Sequence, residues 1–156
     1  MNRNGSKKGR KKVIRVWTYD QAQKAVPYIT SVVRSLREHR IDAINENREA
    51  KQLASKPGRP DRTALIEQAE LARRAREADN RFDGAMAELN ALDVFSIDPV
   101  RGEAVVPFVH GEQLAWYLFD LFDEEDHLRH WRYHEDPLET RRLIAEVLTA
   151  PETPAA

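Results

Sequence analysis

Cysteine is absent from the 156 residues. That removes disulfides, thiolate metal sites and cysteine nucleophiles at once. Also missing is any apolar run approaching the roughly 20 residues that span a bilayer. The opening segment, MNRNGSKKGRKK, has no apolar stretch behind its charges, so it does not read as a secretory signal. The expectation is a cytoplasmic protein with no membrane association. There is no Gly-rich phosphate loop, no Gly-x-Ser-x-Gly elbow, no His-Glu-x-x-His and no internal repeat. Ser96 has no obvious base beside it in the sequence. Nothing here argues for an enzyme, although sites can be built from distant residues.

What is present fits one domain with one real core. Hydrophobic residues make up 41% and charged residues 33%, a balance that suits long, exposed helices. The net charge of -1 hides an uneven distribution. Arg3, Lys7, Lys8, Arg10, Lys11, Lys12 and Arg15 crowd the first 16 residues without an acid, while Asp123 to Asp126 form a compact negative block. Residues 1–12 carry nothing to bury and read as a disordered basic tail. A single α+β domain over 13–149 and a disordered tail over 150–156 complete the organisation.

VIRVW, Val13 to Trp17, is β-branched and reads as a strand. Thr18 offers an N-cap with Gln21 three residues on, the pattern of a capping box. In the helix that follows, Pro27 marks a break or the first turn of a second segment. Ala22, Val26, Ile29, Val33 and Leu36 form an apolar stripe at helical spacing. SKPGRPD, Ser55 to Asp61, is a turn. A second helix runs from about Thr63 to Leu92, with Leu65, Ala69, Ala72, Ala75, Phe82, Met86 and Leu89 as its stripe. The short connection makes the two helices antiparallel neighbours.

The periodicity then changes. From Asp93 to Asp136, turn signals at DPVRG, HG and DEED separate short runs rich in Val, Phe, Trp, Tyr and Leu, which indicates a small antiparallel meander. A last short helix, LETRRLIAEVL, is expected after it. QLAWYLFDLF is apolar on both alternating faces, whereas an antiparallel strand normally keeps one face wet. One face would meet the helices. The other would meet something else, such as a second copy of the chain, and Trp116, Tyr117 and Phe119 are the candidates for such a homodimer contact.

WTYDQAQKAVP, Trp17 to Pro27, resembles the opening of a bacterial family known as domain of unknown function 2203. DVFSIDPVRGEAVVPF is similar to that family's second motif, with Asp98, Gly102 and Pro107 at its recurring Asp, Gly and Pro. The third block, LAWYLFDLFDEEDHLRHWRYHEDPLETRR, is loosely similar. The family's Cys-Trp-Arg is replaced around Tyr117 to Phe119, its Gly-Glu turn becomes the acidic run, and Arg132 stands where a His follows its Trp. The resemblance covers Trp17 to Arg142. It implies a helical hairpin followed by a small sheet, and brings no mechanism.

HLRHWRYHED holds three of the five histidines. On a helix, His127, His130 and His134 would share a face and chelate zinc. On a strand, His130 and His134 share a face with Leu128 and Arg132, about 13 Å apart, while Arg129, Trp131 and Tyr133 take the other. Turn spacing, the aromatic pair and the resemblance favour the strand. Other constellations are plainer. Lys7, Lys8, Arg10, Lys11 and Lys12 could neutralise nucleic-acid phosphates, though no aromatics are interleaved for stacking. DEED lacks an EF-hand's spacing, and His39, Asp42 and Glu46 read best as a solvated helix face. The sequence therefore points first to a self-associating interaction or scaffold protein. A zinc protein using the three histidines comes second, and a nucleic-acid-binding tail third.

Overall fold

A computed structural model describes residues 13–125 and 127–144. Helix α1 spans Tyr19–Ala54 and α2 spans Arg62–Ala91. Five strands follow: β1, Phe95–Asp98; β2, Glu103–His110; β3, Gln113–Asp120; β4, His130–Tyr133; β5, Arg142–Leu143. They form one antiparallel sheet in the order β1-β2-β3-β4-β5. This is the α+β fold that the changing periodicity indicates.

The capping box forms. Thr18's side chain accepts from the Gln21 N–H, and Gln21 Oε1 accepts from the Thr18 N–H. The break expected at Pro27 does not occur, and α1 runs 36 residues through it. Pro27 lies on the exposed side. A proline inside a helix costs about 3 kcal/mol. Burial of Val26, Ile29, Val32 and Val33 around it offsets that cost. The α1 stripe is buried as expected, but that of α2 is displaced. Ala75, Ala78, Ala85 and Leu89 are buried, while Leu65 is 52% exposed and Ala69 is also exposed. Near the turn the hairpin is instead tied by polar pairs, Arg74 with Glu46 at 3.0 Å and Asn47 Nδ2 with Asp79 at 3.1 Å.

In the β2–β3 hairpin, Gly111 and Glu112 both have positive φ, as a two-residue type I′ turn requires. Register puts Ala104, Val106 and Phe108 beside Ala115, Tyr117, Phe119 and Trp131. These residues join Ala22, Val26, Ile29 and Val33 of α1 in one core. Phe108 stacks on Tyr117 with centroids 3.9 Å apart, and Trp131 meets Phe108 edge-on.

Two further expectations are corrected. VIRVW joins no ladder. Trp17 N–H donates to the Pro107 carbonyl at 2.8 Å and Arg15 N–H to Asp93 at 3.1 Å. Proline supplies a carbonyl but no N–H, so the exchange of bonds that would make a strand pair cannot close there. At the other end, Leu138 to Leu143 do not begin a helix. Pro137 opens a turn closed by Thr140 N–H on its carbonyl, and Arg142–Leu143 pair with β4. Arg142 binds the Asp136 carboxylate with two nitrogens and lies over the Trp131 and Tyr133 rings. The rest of LETRRLIAEVL and the two tails, 1–12 and 150–156, lie outside the described residues.

Candidate functional site: the outer face of the sheet

The odd residues of β2 and the even residues of β3 and β4 turn away from the helices. Register arranges them in rows across the sheet. Glu103 faces Asp120. Next come Val105, Leu118 and His130, and then Pro107, Trp116 and Arg132. Val105 and Trp116 are buried yet do not belong to the core cluster that the helices share. Phe95 meets Trp116 edge-on, and Trp116 Nε1 donates to His134 Nδ1 at 3.1 Å. Beyond them Ile97, Val109, Leu138 and Leu143 stand exposed, with Leu143 next to His130 in register.

A shallow depression of about 60 Å³ opens on this face, floored by Val105 and Leu118 and flanked by Ile97 and Leu138. Its charged lining is of both signs: Arg132 and Arg141, Glu103 and Asp120. Arg132 is only 7% exposed. Its hydrogen bond is a long one, 3.4 Å from Nη1 to the Tyr133 carbonyl, and no carboxylate among the described residues lies within ion-pair distance. Arg132 helps hold the Asp136 carboxyl below its ordinary range, but Arg142 is the residue bound to that carboxylate and the main cause of the shift. A buried guanidinium without a paired anion costs several kcal/mol by the order of magnitude for desolvating an ion. The opposite problem stands at the end of the face, where Glu103 and Asp120 are direct cross-strand neighbours of like charge.

The three histidines do not converge. His127 precedes β4, with Nδ1 3.4 Å from Glu125. His130 lies on the outer face, its imidazole pKa lowered by burial and by Arg129 and Arg141. His134 follows the strand and receives the Trp116 indole N–H. Among the described residues no group of three or more His, Asp and Glu is placed to hold a metal ion. Leu128 is not on the histidine face as strand alternation would have it. It lies before β4, buried in the core, with its N–H held by Gln23 Oε1 at 3.0 Å.

The aromatic candidates divide. Trp116 is on the outer face, while Tyr117 and Phe119 pack against the helices, leaving only the Trp116 side for a partner. Lys7, Lys8, Arg10, Lys11 and Lys12 lie outside the described residues. Arg132 was legible only as a cation between two histidines. Its burial follows from the width of the sheet around it, which local patterning does not encode.

A second cavity, of about 250 Å³, lies between α1 and the loop after β3 and includes Arg34, Asp120, Asp123, Glu125 and His127. The loop acids are engaged locally. Asp123 accepts from Glu125 N–H and pairs with Arg129 at 3.4 Å, and Glu125 faces His127. No helix of the described residues is long and apolar enough to cross a membrane.

The architecture is thus a helical hairpin laid on one face of a five-stranded meander. Over residues 15–144 the chain belongs to the DUF2203 family, an uncharacterized conserved protein. No curated protein and no solved structure matches it. The family motif residues have local reasons here. Asp98 Oδ1 accepts from the Val100 and Arg101 N–H groups, Gly102 takes φ +68°, and Pro107 stands where β2 needs no donor.

Proposed function

We propose that this chain is an interaction protein that works as a homodimer, with the outer face of the sheet as its contact surface. One observation carries the reading: this face bears Val105, Trp116 and Leu118, with Ile97, Val109 and Leu143 exposed around them, and none of them joins the core shared with the helices. An antiparallel sheet whose second face is solvated carries polar residues there. A symmetric dimer presents the same patch from both copies and needs no further gene product to cover it.

The test is sedimentation equilibrium over a concentration series, with Val109→Asp and Leu143→Asp. Both residues are already 42% and 64% exposed, so a charge there costs the monomer little. The wild type should form dimers by high micromolar concentration, and both variants should be monomers with unchanged circular dichroism. A wild type that stays monomeric at that concentration overturns the reading.

A further inference from the structure

We infer that Arg132 is the residue that sets the geometry of the pair: in the dimer its guanidinium meets the Glu103–Asp120 pair of the second copy. The inference rests on the homodimer reading above and adds its register. Arg132 is nine-tenths buried with no carboxylate in ion-pair contact, and Glu103 and Asp120, which share the depression with Arg132 and Arg141, face each other with no cation in ion-pair contact among the described residues. Each lacks what the other has. Arg132 pairs in register with Trp116, four residues along β3 from Asp120, so their backbone positions stand about 14 Å apart along the strands. Within one chain these side chains line one shallow depression without coming into ion-pair contact.

The row Val105, Leu118 and His130 lies midway. A two-fold axis laid along this row in the plane of the face exchanges the two ends. It places each Arg132 over the other copy's acidic pair and seats the apolar row on itself. Asp120 is one strand over from Arg132, about 4.8 Å against that 14 Å, which tilts the axis by about 20° and crosses the two sheets at about 40°. Aligned sheet packing favours a crossing of about 30°, so the magnitude falls near that class rather than the orthogonal one. A small free anion on Arg132 would answer the arginine but leave Glu103 and Asp120 facing each other.

Three variants test this beside the wild type. Glu103→Gln with Asp120→Asn removes the acidic charge while keeping an oxygen for the Phe122 N–H that Asp120 holds. It should weaken dimerisation at least tenfold and leave the monomer's melting temperature unchanged or higher. Arg132→Met should weaken it similarly, also without loss of monomer stability, because it removes an unpaired buried charge. Leu118→Cys, the only thiol in the chain, should be joined to its counterpart by a short bifunctional thiol crosslinker, since the axis passes beside it and packed sheets stand about 10 Å apart, too far for a direct disulfide. If the wild type dimerises and Leu143→Asp abolishes it, yet neither charge variant changes the dissociation constant, the homodimer stands and the register is wrong. If sulfate stabilises the wild type but not Arg132→Met, with association unchanged, Arg132 serves a small anion and the pairing is overturned. A monomeric wild type removes both readings together.

Discussion

Gly102 and Gly111 share a backbone problem but not a packing problem, and substituting alanine at each separates the two. Both have positive φ, +68° and +56°. An L-residue held in the left-handed region costs about 1–2 kcal/mol. Replacing glycine also removes freedom from the unfolded chain, which returns about 0.4–1 kcal/mol. Gly111→Ala should therefore lose about 1 kcal/mol, since a Cβ there meets nothing within 4 Å. At Gly102 the Cβ would stand 2.6 Å from Leu121 Cβ and 3.1 Å from Leu121 Cδ2. The backbone cannot easily withdraw, because the Gly102 carbonyl holds the Leu121 N–H at 2.9 Å. Overpacking of this kind adds about 1–3 kcal/mol, so Gly102→Ala should lose about 2–4 kcal/mol.

Urea unfolding followed by far-ultraviolet circular dichroism, at a fixed low protein concentration, measures both losses. Leu121→Ala should leave most of the Gly102→Ala penalty in place, because alanine keeps the offending Cβ. Leu121→Gly should relieve it. If Gly102→Ala costs within 0.5 kcal/mol of Gly111→Ala, roughly the threshold for a real coupling, the close approach to Leu121 is not what demands glycine.

Trp131 is 3% exposed and its indole N–H finds no acceptor among the described residues. Trp131→Ala should cost about 3–5 kcal/mol. Trp131→Phe should cost much less, because it also discards the unpaired donor, and urea midpoints compare the two. Thr18→Ala removes a capping-box partner and should cost about 1 kcal/mol in the same assay. The lowered pKa of His130 makes the folded chain take up its proton later than the unfolded one as pH falls. Stability should therefore be full above the ordinary imidazole range near 6.5, decline as pH falls from there through the lower folded value, and level off below it. His130→Gln should flatten that step in a pH series of melting temperatures, and an unchanged step assigns it to another group.

Much of the fold was written locally. The capping box, the α1 stripe, the Ser55–Asp61 turn and the inward Trp131 each follow from a few neighbouring residues, and each forms. What was not legible depends on partners far along the chain. Pro27 is carried through the helix by burial against the sheet, which outweighs a local preference. VIRVW has strand composition but meets a proline on its only available neighbour, 90 positions later in sequence for the Trp17–Pro107 bond. Arg142 is drawn into β5 by Asp136 and two aromatic rings rather than into a helix. The far half of α2 shows the limit of a stripe. Leu65 and Ala69 have helical spacing but stay exposed, because the sheet meets α2 only near its other end.

The histidine segment ends as a lesson in what alternation does. A strand sends neighbours to opposite faces, so the residues between the histidines matter as much as the histidines. Trp131 and Tyr133 tie β4 to the helices, and by the same alternation Arg132 is committed to the other face. There it stands beside Trp116 and one row from Leu118, a place where an arginine is tolerated on a solvated surface but is costly once buried. A two-layer fold with a dry core has no use for that charge. Two such layers placed face to face in the proposed register would have one, because the acids of one copy would lie where the arginine of the other arrives. In the proposed dimer the spare apolar face and the unpaired arginine become one feature, and the second copy answers both.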